Sequence, residues 1–350
     1  MLRPLDREPH RILIVRLGAI GDVARVLPML NGLGRRFPGA EIDWVVQAKA
    51  ADLLVDHPQI AQLWVVPSVR WGQTFAPEAR ALRRRMRDRD YDLVLDFQGM
   101  IKGALWALAA GGRAVRVGWG PGHTLNMTWL WYHGLRYPPG KTVNRHLRHR
   151  ALVDWLDVPD LPGLPPALER VDTGEVDRFL DGSDASRPWI LAYPGSSGKG
   201  SHKRWDPARF RTALTEIRDR TGGTVLVGWG PAEERDAREL AKALDAPAIP
   251  PISIRQLAYL LARCDLFVGM DTGPMHLAGL VGTPVVAIFG RSDPRIHGPA
   301  AHLPGVAVAG SEARHWPTRK RSDLEPFLEP DPRPVVEAAL DVLERHSRDR

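Results

Sequence analysis

The chain has a single cysteine, Cys264, among its 350 residues. One thiol excludes an internal disulfide and a CxxC metal site, and it points to a reducing compartment. Long apolar runs are missing too. The most apolar uncharged stretch, residues 272–290, is broken by Gly273, Pro274, Gly279, Gly282 and Pro284, and it falls short of the roughly 20 apolar residues that span a bilayer. No transmembrane helix is expected. The N-terminus carries charge where a signal peptide has its apolar core, so a cytoplasmic location is expected. Low-complexity tracts are absent: the 31 prolines and 33 glycines are spread along the chain, which excludes a collagenous or linker-like protein. Lysine is scarce, 7 against 41 arginines.

Hydrophobic residues at 44% and charged residues at 25% supply apolar material for two domains of ordinary size and exclude disorder as the main character. Forty-eight basic residues against 41 acidic ones leave a net charge of +7. That balance favours an anionic partner, whether nucleic acid, a phospholipid surface or a phosphorylated glycan, although a GC-rich genome also produces arginine excess. No RNP, helix-turn-helix or zinc-finger pattern accompanies the charge, so no nucleic acid is expected as partner.

The first half alternates short apolar runs with helix-length segments. Strands are expected at 11–15, 42–46, 63–66, 91–96 and 114–117, with a helix over 22–36. Parallel strands need crossover connections, so this rhythm implies a largely parallel sheet covered by helices on both faces. Pro159, Pro162, Pro165 and Pro166 interrupt it in a segment too proline-dense for a helix or a central strand. The rhythm then resumes with strands at 189–193, 224–227, 265–269 and 284–289 and helices at 207–220, 232–244, 254–263 and 273–281. The expectation is an α/β protein of two doubly wound, Rossmann-like domains, 1–160 and 161–330, facing a central cleft in which a ligand binds outside the carboxyl ends of the strands. A last amphipathic helix in 331–350 is expected to dock near the first domain.

Three segments carry chemistry. Gly18-Ala-Ile-Gly21-Asp22 follows the opening strand, where glycines let a ligand approach the backbone and a helix N-terminus offers amides. Its spacing is not GxGxxG. Asp22 is a helix cap or a general base. The second segment runs from Tyr193 through Gly195, Ser196, Ser197, Lys199 and Lys203 to Trp205. It joins tight turns, hydroxyls and positive charge into a phosphate cradle without the Walker A spacing. The third, Gly269-Met-Asp271-Thr272-Gly273-Pro-Met-His276, puts Asp271 at a strand end and Pro274 in the first turn of a helix with free amides. His276, one turn inside, is a ligand-side residue or a satisfied core histidine.

These segments, with Asp96-Phe-Gln-Gly99, Gly282-Thr-Pro284 and Phe289-Gly290, resemble the heptosyltransferases of glycosyltransferase family 9. The resemblance covers nearly the whole chain. It implies the GT-B architecture, with acceptor recognition mainly in the N-terminal half and nucleotide-sugar recognition mainly in the C-terminal half. It further implies an inverting transfer of heptose from ADP-heptose to a lipopolysaccharide inner-core acceptor, Kdo or heptose, with no metal or other cofactor. On this resemblance Asp22 is the general base. Lys203, Ser196, Ser197, Lys199, Thr272 and Gly273 receive the leaving diphosphate. Asp271 accepts hydrogen bonds from the sugar, with His276 beside it, Glu233 or Glu234 serves the ribose, and Ile252 packs near the adenine. Gly21, Arg25, Lys102, Arg116 and Arg145 are acceptor-side candidates, and Arg16, Arg113, Lys141 and Arg148 extend that basic set. The implied partners are an ADP-sugar, an anionic lipid-linked glycan and the inner-membrane surface, to which the protein would be peripheral.

No DxD follows a strand in the second half and no His/Cys cluster has ligand spacing, which fits a site that neutralises phosphate with cations and amides. Two alternatives remain at the level of sequence: a family member using another nucleotide sugar, and a non-catalytic binder of anionic glycans. Nothing in the residue string sets the oligomeric state.

Overall fold

The computed structural model describes residues 7–67, 76–124, 126–140, 142–182, 186–195, 204–290, 292–300, 303, 305–309 and 330–348. The chain divides into two compact units, Met1–Ala167 and Leu168–Arg350. The boundary falls seven residues beyond the expected 160. The cause is local packing: the proline segment lies on the first unit, where Asn31 Nδ2 donates to the Pro162 carbonyl at 2.7 Å and Gly32 sits too close to the Pro159 carbonyl for any side chain.

The first unit is a parallel sheet of β1 (Arg11–Val15), β2 (Glu41–Gln47), β3 (Gln62–Val66), β4 (Leu93–Asp96), β5 (Val115–Trp119) and β6 (Gly134–Arg136), in the order β3-β2-β1-β4-β5-β6. Ile12, Leu13, Ile14 and Val15 are all fully buried, as a strand covered on both faces requires. Its helices are α1 (Ile20–Ala24), α2 (Leu27–Arg36), α3 (Ala48–Ala51), α4 (Pro77–Asp88), α5 (Ile101–Ala107) and α6 (Arg145–Arg150). The single helix expected over 22–36 is thus two. Pro28 lies in the first turn of α2, where its missing N–H costs nothing, and a new helix begins there.

The second unit holds β7 (Trp189–Tyr193), β8 (Thr224–Val227), β9 (Leu266–Met270), β10 (Val285–Phe289) and β11 (Gly305–Ala309), parallel in the order β11-β10-β9-β7-β8. Its helices are α7 (Gly174–Asp181), α8 (Pro207–Thr221), α9 (Glu234–Leu244), α10 (Ile254–Arg263), α11 (Gly273–Leu280), α12 (Pro294–His297) and α13 (Pro332–Arg348). Strand order reverses between β1 and β4 in the first sheet and between β7 and β9 in the second. In open α/β sheets the crevice at such a switch point, beyond the carboxyl ends of the strands, is where ligands bind.

The last helix, expected to dock near the first domain, packs into the core of the second unit. Val335, Val336, Ala339 and Val342 of α13 are buried in one cluster with Phe210 and Leu214 of α8 and Ile288 of β10. That face of α13 is an apolar stripe, and it completes the core of the second unit. Strands β6 and β11 were not legible: β6 has three residues and β11 is a five-residue edge strand.

Candidate functional site

At the first switch point β1 and β4 end level, Val15 pairing with Asp96. The chain leaves β1 through Arg16 to Gly18 and enters α1, which presents Asp22. Two guanidinium groups hold that carboxylate: Arg16 Nη2 lies 2.5 Å from Oδ2, and Arg25 Nη1, one helical turn on, lies 3.3 Å from Oδ1. Arg16 is itself fixed by donating Nη1 to the Phe97 carbonyl at 2.7 Å. A second basic element comes from far along the chain. Asn144 caps α6 by accepting from the His146 N–H at 2.9 Å, and α6 carries Arg145 and His149 toward Asp22 and Arg148 toward Arg16.

The electrostatics follow from that crowding. Burial pushes the Asp22 carboxyl up, but the charges of Arg16, Arg25 and Arg145 outweigh it and hold the pKa at about 2. Burial, Arg145 and Arg16 lower the Arg148 guanidinium to about 10, while its cation lies 4.7 Å from the Trp119 ring. His149 is buried edge-on against Phe97, and burial with Arg16 keeps its pKa well below the ordinary histidine value. The pocket therefore carries an ionised carboxylate beside a neutral imidazole, within a surplus of positive charge.

Of the acceptor-side candidates, Gly21, Arg25 and Arg145 gather here, and so do Arg16 and Arg148. Lys102 lies half-buried in α5. Arg116 does not join them: it sits inside β5, and its guanidinium donates to the carbonyls of Trp131 at 3.2 Å and Gly111 at 2.8 Å. Arg113 is exposed near Asp90, and Lys141 lies outside the described residues. The sequence reading missed His149 and missed the burial of Asp96, which accepts from the Tyr132 hydroxyl and from the N–H groups of Gln98 and Gly99 at 2.7 and 3.3 Å. The Asp96-Phe-Gln-Gly99 string was its only signal.

The second switch point collects the other two motifs. Tyr193, the last residue of β7, pairs with Gly269 of β9. Beyond it Gly195 must be glycine, because a Cβ there would meet Glu233 Cγ at 2.7 Å. Glu233 is buried. Its Oε2 accepts from the Gly230 N–H at 3.1 Å, while Oε1 has no hydrogen-bond partner. Thr272, the N-cap of α11, makes no capping bond with its side chain, and its Oγ1 is also buried without a partner. Buried polar atoms are rarely left unpaired, so two orphans at one switch point mark where a hydroxyl-rich or phosphorylated ligand fits.

Asp271 and His276 are both buried, with His276 Nε2 3.7 Å from Asp271 Oδ1. The structure separates the two glutamates: Glu234 is turned to Arg238 at 2.8 Å on the outside of α9, whereas Glu233 faces inward. Ile252 is half-buried, one residue before the capping box that opens α10. Ser196, Ser197, Lys199 and Lys203 lie outside the described residues. The stems of their loop, Gly195 and Arg204, adjoin Glu233 and Asp236. Among the described residues no three His, Cys, Asp or Glu side chains gather as a metal site requires.

The geometry supplies an arginine-lined carboxylate site in one unit and a site for a hydroxylated, phosphorylated ligand in the other. Residues 79–327 match the family model described as glycosyltransferase family 9 (heptosyltransferase). The chain is 30% identical over 296 residues to the lipopolysaccharide heptosyltransferase 1 of Pseudomonas aeruginosa, covering 82% of this chain and 81% of that one. It also superposes on the crystal structure of a family 9 glycosyl transferase from Veillonella parvula, with a TM-score of 0.78 and 19% identity over 96% of this chain and 97% of that one. The E. coli heptosyltransferase WaaC with ADP-2-deoxy-2-fluoro heptose gives a TM-score of 0.68 and 23% identity over 86% of this chain and 93% of that one. The two doubly wound units are the GT-B fold of these enzymes.

Proposed function

The chain belongs to glycosyltransferase family 9, and from that premise we propose that it transfers heptose from ADP-heptose to Kdo or heptose of a lipopolysaccharide inner-core acceptor. The observation that carries this reading is Asp22, an ionised carboxylate set at a switch point among Arg16, Arg25 and Arg145. An anionic sugar acceptor is drawn to such a pocket, and its hydroxyl finds a proton acceptor there. The donor assignment is supported by the Pseudomonas relative and by the donor analogue of the E. coli enzyme.

In the proposed step the acceptor oxygen attacks the anomeric carbon from the face opposite the diphosphate. The new C–O bond forms as the bond to the β-phosphate breaks, ADP departs, and the configuration inverts. The hydroxyl proton passes to Asp22. A carboxylate with a pKa of about 2 is a weak base toward a resting alcohol. It is basic enough once the alcohol oxygen has begun to bond to an oxocarbenium-like carbon, because that bond makes its proton strongly acidic. Arg16 and Arg25 keep Asp22 charged until then.

In the second unit Glu233 Oε1 suits a ribose hydroxyl and Asp271 the sugar hydroxyls. Thr272, the α11 amides and the 196–203 loop receive the diphosphate, with Lys203 and Lys199 as its cations, so the departing charge is met by side chains and amides and not by a metal. The acceptor is lipid-linked, which places the protein at the inner-membrane surface; no described helix is long and apolar enough to cross a membrane. Release of ADP by the purified protein, given ADP-heptose and heptose-free lipopolysaccharide, tests the assignment. No release across Kdo- and heptose-terminated acceptors would leave a glycan-binding protein in its place, and release with a different nucleotide sugar alone would change the donor.

A further inference from the structure

The handover from β1 to the turn before Asp22 is held by a side chain, not by a strand. The Phe97 N–H donates to the Val15 carbonyl at 3.1 Å, the last backbone rung between β4 and β1. There the β4 chain turns away. The next donor on the β1 side, the Leu17 N–H, is met by Gln98 Oε1 at 3.0 Å. On its other side the Leu17 carbonyl accepts from the Gln47 N–H at 2.9 Å. The Gln98 side chain therefore extends the sheet by one rung, at the residue preceding Gly18.

Gln98 is fixed in turn. Asp96 Oδ1 accepts from the Gln98 N–H at 2.7 Å and from the Gly99 N–H at 3.3 Å, while Oδ2 accepts from the Tyr132 hydroxyl. On the α5 side, a Cβ on Gly103 would lie 2.6 Å from Gln98 Cβ and 3.0 Å from Asp96 Oδ1. The helix thus packs directly onto the pair, and only glycine admits that approach. The same segment supplies the Phe97 carbonyl that anchors Arg16, so both the turn leading to Asp22 and the guanidinium on its carboxylate depend on residues 96–98.

We propose that Gln98, locked by Asp96, Tyr132 and Gly103, is a positioning residue that sets the Asp22 carboxylate for proton transfer without touching substrate. This rests on the reading of Asp22 as the proton acceptor. A loosened rung displaces the carboxylate by a fraction of its reach, and misplacement of about 1 Å costs on the order of 100-fold in rate.

The test is a double-mutant cycle on the full-length protein, followed by ADP release, with ADP affinity and melting temperature measured alongside. Gln98→Met keeps the unbranched length and removes the amide acceptor. Its kcat is expected to fall by about 100-fold with ADP affinity unchanged. In an Asp22→Asn background the same substitution should add no further loss, because a residue acting through Asp22 has nothing left to position. Gly103→Ala, which displaces Gln98 without altering it, should reproduce the selective loss in kcat and keeps the proposal testable if Gln98→Met fails to fold. Wild-type kcat in both single variants, or a full second loss on top of Asp22→Asn, overturns the proposal. Near-normal turnover by Asp22→Asn alone would instead sink the reading of Asp22, so the two failures are distinguishable.

Discussion

Asp22 is an acid whose neighbours decide its chemistry. Held at about 2 by cations that outweigh its burial, it stays ionised at every pH at which the enzyme is expected to work. The acidic limb of a kcat–pH profile between pH 5 and 8 should therefore owe nothing to Asp22. Asp22→Asn should keep nucleotide binding, because the residues proposed for the nucleotide lie in the other unit, and lose about 100-fold or more of turnover; ADP titration and steady-state rates check both halves. Asp96 behaves in the opposite way. Burial raises its pKa to about 6, against the opposing pull of the Tyr132 hydroxyl, the Gln98 and Gly99 amides and Arg16. A carboxyl raised on folding adds stability in its protonated form, in full below its unfolded value near 3.8, and that contribution is lost as pH rises through 6. Asp96→Asn should flatten this component, so the difference in melting temperature between wild type and variant should shift across pH 4 to 6. A constant difference would show that Asp96 does not titrate there.

Strands and helices are joined here by a few buried polar contacts that no periodicity reveals. Asp43 of β2 is fully buried. It accepts from Arg89 Nε and Nη2 at 3.0 and 3.1 Å and from the Tyr91 hydroxyl at 2.5 Å, while Trp64 Nε1 of β3 donates to that hydroxyl at 2.8 Å. One carboxylate thus ties β2 and β3 to the segment entering β4. Removing it leaves the Tyr91 hydroxyl without its acceptor beside a cavity, while Arg89 keeps Glu41 at 3.2 Å. Asp43→Ala should cost about 2 kcal/mol in urea unfolding, in the range for leaving a buried hydroxyl without its hydrogen-bond acceptor; a loss below about 0.5 kcal/mol would mean that water repairs the site. Elements also explain the missed boundaries. Pro28 starts a new helix where an apolar stripe read as continuous, and α13 gave an amphipathic pattern that fits any open apolar face.

For the whole molecule the proposed reaction makes one demand that composition cannot express: the leaving diphosphate must be neutralised by lysine, hydroxyls and helix amides. Turnover should accordingly survive dialysis against a chelator within experimental error, and loss of rate that divalent cations restore would reassign the leaving-group chemistry. The sequence by itself determined the two parallel sheets and the positions of the three motifs at strand ends, because alternation of apolar runs, glycine turns and helix-opening prolines is written in local spacing. Packing alone decided the rest. Arg145 and His149 reach Asp22 only because α6 folds back against the end of α1, and the Arg116 guanidinium is held by carbonyls that no motif announces. Glu233 is buried and Glu234 is not by the phase of one helix start, which turns the first against Gly195 and the second to Arg238. Such choices depend on contacts between residues distant in the chain, and those distances close only when the sheets form.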